Sequence, residues 1–389
     1  MRRLDERSEV LRGADLVCFS NDWDGDPLSK THLMRLLAVD NRVLWVNSLG
    51  NRTPTASAHD LRRLAKKAAG TLRGVREVEH NIFVLSPLAV PLFGSRLIAA
   101  GNRIALKLQV ERAMRGLGFR RPVVWSFLPA AEWVAQSLRA RLLIYHCVDE
   151  FSAFSGTPAA IAEQERRLVE GADLVITSSE RLWTSKRALN PNTVLVRHGV
   201  DHAHFARALE PETVVPEEIA GLPRPLFGFF GLLADWVDLE LLETLAQGLP
   251  AGSLVLIGKQ RADTSRLRRL PNVHFIGQRR YEELPAYCKG FDVALMPFKI
   301  NELTLNSNPL KVREYLAAGL PVVSTAIPEV ERLGLCRIGR TPEEFVTEAR
   351  AALEAPGPRR ERSEAIRGES WAARIEEIRM YLASLGLRG

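Results

Sequence analysis

A chain of 389 residues is too long for one ordinary domain and, at about 100–200 residues per domain, reads as two or three. Its charged fraction and scattered glycine and proline exclude a disordered or fibrous chain, and no apolar run approaches the ~20 residues that span a bilayer. With 53 Lys and Arg against 46 Asp and Glu, the net charge of +7 favours an anionic partner, whether nucleic acid, anionic lipid or phosphorylated substrate, without choosing among them.

The first residues, MRRLDERSEVLRGADL, are charged throughout and lack the apolar segment of a signal peptide, so a soluble, cytoplasmic protein is expected. Apolar runs then alternate with helical patterns. Ala14–Ser20, Arg42–Asn47, Ile82–Ser86, Pro122–Phe127, Leu142–Val148, Asp173–Ser178 and Thr193–Arg197 read as strands, with helical periodicity at Leu28–Ala38 and Ile161–Val169. Continuous apolar strands separated by helices predict a parallel sheet covered on both faces. Arg207–Pro225 holds four prolines and no clear period, and reads as a linker. The pattern restarts with strands at Pro225–Gly231, Ser253–Gly258, Val273–Gly277, Asp292–Pro297 and Pro321–Thr325, and helices at Asp238–Gln247, Glu282–Lys289 and Pro309–Ala318. A last amphipathic segment covers Arg359–Leu385. The fold class expected is α/β, with two doubly wound, Rossmann-like domains whose ligand crevice lies at the carboxyl ends of the strands. Cys18, Cys147, Cys288 and Cys336 lie far apart with no Cys-x-x-Cys pair, as expected of small buried residues in a reducing compartment.

Asn306–Thr325, NSNPLKVREYLAAGLPVVST, carries the most chemistry. Pro309 suits the first turn of a helix and Gly319 its C-terminal cap. Lys311 and Glu314, three residues apart, share a face near the helix N-terminus. Free N–H groups, the helix dipole and a lysine together suit a diphosphate, and a carboxylate one turn further in suits ribose hydroxyls. A plain surface Lys–Glu pair is the bland alternative.

Three further stretches admit more than one reading. Asp22, Asp24 and Asp26 alternate like a calcium loop, but Pro27 and Leu33 stand where an EF-hand needs Gly and Glu. Turn chemistry and a metal site stay open there. His198, His202 and His204 cluster without the spacing of a zinc pair on a helix face, which favours a turn over a metal site. Asp60–Arg76 places Arg62, Arg63, Lys66, Lys67, Arg73 and Arg76 on an Ala/Leu-rich helix, either a solvated basic face or a contact with an anionic membrane surface. No nucleic-acid-binding pattern and no P-loop is visible, so no nucleic-acid partner is expected. The oligomeric state is left open.

The segment N-P-L-K-x-x-E-Y-L-A-A-G-x-P-V-V-S-T resembles the donor-nucleotide helix of GT-B glycosyltransferases, notably bacterial family 4 members of the teichuronic-acid type. Ala172–Glu180, Arg197–Phe205, Pro271–Gly277 and Tyr145–Phe151 resemble other pieces of that family in the same order. The resemblance implies a GT-B fold with an interdomain cleft: residues 1–206 as acceptor-binding domain, 207–358 as nucleotide-sugar domain, and 359–389 as a C-terminal helix crossing back to the first. It implies transfer of a sugar from a nucleotide-diphosphate sugar, UDP-sugar favoured, to a hydroxyl of a glycan or lipid-linked acceptor in polysaccharide synthesis. No metal and no cofactor is expected, and a peripheral place on the inner face of the plasma membrane is an option.

On that resemblance Lys311, Glu314, the loop residues Asn306, Ser307, Asn308 and Leu310, and the backbone at Gly231 and Gly277 bind the donor. Asp22, Asp24, Lys30 and His32 contact the acceptor. Two departures stand out: Asn306 replaces the first glutamate of the family's Glu-x7-Glu, and the Arg/Lys diphosphate grip reads G-L-L-A-D-W at Gly231–Trp236. Similarity to the inverting xanthan-pathway glucuronosyltransferases makes Asp149, after the strand LLIYHCV, the candidate general base, with Glu150 as fallback. Two rivals are a nucleotide-sugar 2-epimerase of the same fold, for which the second domain offers His274 alone, and a non-catalytic nucleotide-sugar or membrane-surface binding protein.

Overall fold

The computed structural model describes residues 10–48, 74–88 and 96–387. They form two compact units: Met1–Arg197 with Ile375–Gly389, and His198–Arg374.

The first unit is an eight-stranded sheet of β1 (Asp15–Ser20), β2 (Arg42–Asn47), β3 (Arg76–Glu79), β4 (Ile82–Leu85), β5 (Val123–Ser126), β6 (Leu142–Cys147), β7 (Leu174–Thr177) and β8 (Thr193–Leu195), ordered β3-β4-β2-β1-β5-β6-β7-β8. Every pair is parallel except β3–β4. The central strands are buried along their length because helices cover a parallel sheet on both faces, and this is why they read as unbroken apolar runs. Strand order turns back between β1 and β5, so the loops after β1, β5 and β6 emerge around the point where such sheets bind ligands.

The second unit is a six-stranded, wholly parallel sheet of β9 (Leu226–Phe230), β10 (Ser253–Ile257), β11 (Val273–Gly277), β12 (Val293–Met296), β13 (Val322–Thr325) and β14 (Arg337–Gly339), ordered β11-β10-β9-β12-β13-β14. Its order turns back between β9 and β12.

Three expectations change. Arg207–Pro225 is no free linker: the units divide earlier, at Arg197/His198, because Phe205, Ala208 and Ile219 are buried in the core of the second unit. The segment 359–385 is two helices, Arg359–Ile366 and Trp371–Ser384, interrupted around Gly368. The former belongs to the second unit, with Ile366 in its core and Ser363 donating to the Ala317 carbonyl at 2.6 Å; only Ile375–Gly389 joins the first. There, Arg379 donates to the Leu11 carbonyl at 3.4 Å and sits 3.5 Å from Asp40. Finally, Arg76 opens strand β3 and lies on no helix. The rest of the basic stretch, Arg62, Arg63, Lys66, Lys67 and Arg73, lies outside the described residues.

Candidate active site

In the second unit the chain leaves β9, β10 and β11 through three glycines, each with positive φ: Gly231 (139°), Gly258 (140°) and Gly277 (80°). They are stitched edge to edge. Gly231 N–H donates to the Ile257 carbonyl at 2.8 Å, and Gly258 N–H to the Gly277 carbonyl at 2.8 Å. A Cβ on Gly258 would run into the Gly231 carbonyl, so only glycine permits this approach.

Above this shelf stands the helix Leu310–Ala317, preceded by Pro309 and without a side-chain cap. Its buried Tyr315 hydroxyl accepts the Phe230 N–H at 2.9 Å, and the two rings meet edge-on at 4.7 Å. This contact fixes the helix beside the end of β9. One turn earlier, Lys311 runs over Gly231, its Nζ only 3.0 Å from where a Cβ there would sit. The lysine side chain therefore occupies the place that the sequence G-L-L-A-D-W leaves without a cation of its own. Glu314 lies half-buried on the same helix. Burial pushes its carboxyl up to about 7, and the Lys311 ammonium opposes the rise. The Lys311 ammonium and the start of a helix without a side-chain cap thus stand over the glycine shelf, with a carboxyl raised by burial one turn further along the same helix.

The loop before this helix is held from behind. Asn301 caps the short helix Glu302–Leu305 through Thr304 N–H at 3.1 Å. Asn306 ends that helix and turns its amide onto the Glu302 carbonyl (2.7 Å) and carboxylate (2.8 Å). Ser307 Oγ donates to the Thr304 carbonyl at 2.8 Å. Asn308 accepts from Arg313 at 2.6 Å on its side chain, while its carbonyl lies 2.8 Å from Nδ1 of His198. Leu310, half-buried, opens the long helix.

In the first unit Asp149 follows β6 at its carboxyl end. Burial pushes its carboxyl up to about 6, and Lys30 pulls it down. Lys30 itself is only 6% exposed, on the helix Ser29–Leu37, with its ammonium 5.8 Å from the centre of the Phe127 ring. Burial holds that ammonium below its ordinary range, against the pull of Asp149 and Cys18. Lys30, expected at the acceptor, is thus a buried charge partner of Asp149. Glu150 is engaged elsewhere: it accepts from Ser152 at 2.6 Å and from Lys186 at 3.4 Å. Lys186 also holds the buried Glu165 at 2.9 Å, which takes the Tyr145 hydroxyl at 2.6 Å. That cluster ties β6 to its neighbours and leaves Asp149 the better-placed carboxylate.

The loop after β1 exposes Asp22, Asp24 and Asp26 and leads to the half-buried His32. It is pinned from β2, where Trp45 Nε1 donates to the Asn21 carbonyl at 2.9 Å and Asn47 accepts Trp23 N–H at 2.9 Å. The three histidines part company: His198 meets the Asn308 carbonyl, His202 meets Ser363 at 3.0 Å, and His204 stacks on Tyr281 at 4.3 Å. Among the described residues no cluster of His, Cys, Asp and Glu is arranged to hold a metal ion, and no helix is long and apolar enough to cross a membrane.

Gly258 and Tyr315 were not singled out in the sequence. The signal for Gly258 was there, since it ends an apolar run as Gly231 and Gly277 do. Tyr315 reads as one more apolar position until its hydroxyl meets β9.

The two parallel α/β units have the GT-B fold found in glycosyltransferases. Residues 224–355 match the family described as "Glycosyl transferases group 1". Over 284 residues, 66% of this chain and 71% of the relative, the sequence is 24% identical to a Bacillus subtilis (strain 168) protein named as a teichuronic acid biosynthesis glycosyltransferase, TuaH. The fold is similar to that of sucrose-phosphate synthase from Thermosynechococcus elongatus, with a TM-score of 0.68, 17% identity, and 96% and 99% of the two chains covered. It is also similar to Anabaena HepE in complex with UDP, with a TM-score of 0.65, 16% identity, and 95% and 100% covered.

Proposed function

We propose that the second unit binds a nucleotide-diphosphate sugar, a UDP-sugar in the first instance, and that the first unit presents the hydroxyl of a glycan or lipid-linked acceptor. The observation that carries the donor reading is Lys311 lying across Gly231 at the start of a helix whose Glu314 stands one turn further in. Lys311 and the helix N-terminus neutralise the diphosphate as it leaves, Glu314 takes ribose hydroxyls, and the glycine shelf lets the nucleotide approach the backbone. The solved HepE structures with UDP and with UDP-glucose support uridine as the nucleotide, and the name of the Bacillus relative supports an acceptor in polysaccharide synthesis.

On this reading Asp149 takes the proton of the attacking hydroxyl, and configuration at the anomeric carbon inverts. A carboxylate with a value near 6 is ionised at neutral pH yet basic enough to assist, which is the useful range for a general base. The exposed Asp22 and Asp24 and the half-buried His32 line the acceptor side. The chemistry calls on no metal, because the positive charge at the diphosphate comes from Lys311 and backbone N–H groups. The cations Arg62, Arg63, Lys66, Lys67 and Arg73 suit an anionic membrane surface, where a lipid-linked acceptor would be met at the inner face of the plasma membrane.

Titration calorimetry with UDP-, GDP- and TDP-sugars tests the donor reading. Binding of a UDP-sugar is expected; a protein that is folded and binds none of the three overturns it.

A further inference from the structure

The chain passes between the two units twice, at Arg197/His198 and at Arg374/Ile375. On the second unit's side these two passages run together. Val200 N–H donates to the Glu369 carbonyl at 2.9 Å, and Val200 pairs with Ser370 in a parallel bridge. Gly199 is pressed against the same stretch: a Cβ there would come within 2.7 Å of Trp371 N and 2.8 Å of its Cα. His198–Val200 and Glu369–Trp371 therefore form one paired strap.

Two contacts run from this strap to the loop ahead of the donor helix, and both end on Asn308. Nδ1 of His198 lies 2.8 Å from the Asn308 carbonyl. Glu369 accepts Nε of Arg313 at 2.6 Å, and Nη1 of the same arginine donates to the Asn308 side-chain oxygen at 2.6 Å. Arg374 adds a second contact to Glu369 at 3.2 Å.

Arg313 is 1% exposed, among the most buried side chains of the protein. On the inner face of its helix Val312 and Leu316 are wholly buried apolar residues, and an apolar side chain at 313 would serve packing as well. A buried guanidinium loses its hydration and gains little net stability from its partner, so burial for packing alone does not explain an arginine here. What arginine alone supplies is a rigid fork with donors pointing in two directions, one to the strap and one to the donor loop.

We propose that Arg313 is a positioning residue: it fixes Asn308, and with it the segment Asn306–Lys311, against the paired strap, so that donor occupancy and order in the strap are linked. The proposal rests on the reading of Lys311 and Glu314 as the donor site. Linkage of this kind is reciprocal, so a ligand that orders the loop also orders the strap.

The test uses the full chain, UDP as probe, and two variants, Arg313→Met and Asn308→Ala. The second leaves the Arg313–Glu369 pair in place, so it carries the test if Arg313→Met does not fold. In the wild type, UDP is expected to slow amide exchange at 198–200 and 369–371 as well as in the loop. In either folded variant the UDP dissociation constant is expected to rise about ten- to a hundredfold, because a small misplacement of binding groups has effects of that size. Exchange at the strap no longer responds to UDP, donor KM rises more than kcat falls, and the double variant loses no more than the single ones. Wild-type affinity together with a wild-type exchange response in a folded variant overturns the positioning role alone. Where the wild type binds GDP or TDP in place of UDP, that nucleotide serves as the probe; a folded wild type that binds none of the three overturns the donor reading and the proposal with it.

Discussion

Lys311 and Gly231 are in van der Waals contact across the end of β9, the lysine side chain filling the space that any larger residue at 231 would need. Gly231 also holds φ at 139°, where an L side chain is strained. Gly231→Ala is therefore expected to displace Lys311 and reshape the shelf together. Donor affinity, measured by calorimetry, should fall by at least about tenfold, on the order of 1.4 kcal/mol. Unchanged affinity in a folded variant would mean that the contact is incidental to binding.

Asp149 sets the second prediction. Its carboxyl is raised to about 6, so the base is ionised above that pH and protonated below it. The kcat/KM profile should lose activity as pH falls through about 6. Lys30 stabilises the ionised form, so Lys30→Met should shift this limb to higher pH. Asp149→Asn should cost about 10²–10⁴ in kcat, the usual share of a general base. Undiminished turnover in Asp149→Asn would remove it from that role.

Glu314 predicts a pH-dependent stability. Its folded value, about 7, is raised above the ordinary 4.5, chiefly by burial. The folded state then holds the proton more tightly than the unfolded chain, so this group costs stability as pH rises from about 4.5 to about 7, and the cost is complete above 7. Without donor, the second unit of Glu314→Gln should melt about 2–4 °C higher than in the wild type at pH 8, a gain on the order of 1 kcal/mol for a unit of its size. At pH 4, where the carboxyl is protonated in both states, the two should melt alike. Scanning calorimetry at the two pH values decides it, and a gain confined to pH 4 would reverse the sign.

Tyr315 offers a purely structural test. Removing its hydroxyl strands the buried Phe230 N–H, which accounts for about 1–3 kcal/mol. Tyr315→Phe should lower the denaturation midpoint accordingly and weaken donor binding, since the helix that carries Lys311 is anchored there.

The sheets were legible in the sequence because buried parallel strands leave little room for polar residues. DLVCFS, LLIYHC and SLVLI announce themselves, and their observed bounds differ from the expected ones by a residue or two. The edge strands β3 (REVE) and β14 (RIG) were not, since a partly exposed edge tolerates charge and ends in too few residues to show a period. The proline-rich Arg207–Pro225 read as a linker because proline marks irregular backbone; it does not say whether that backbone is buried, and here Ala208 and Ile219 anchor it in a core. Lys311 and Glu314 were visible because they lie within one helix turn. The electrostatic influence of Lys30 on Asp149, and the ion pair of Arg313 with Glu369, join residues far apart in the chain, and no local pattern reports them.

The claim that Lys311 holds the donor diphosphate is tested most directly by calorimetric titration of UDP into wild type, Lys311→Ala and Lys311→Arg. Wild type is expected to bind, Lys311→Ala to lose at least about tenfold in affinity, and Lys311→Arg to keep part of it by retaining the charge. Equal UDP affinity in wild type and a folded Lys311→Ala would contradict it.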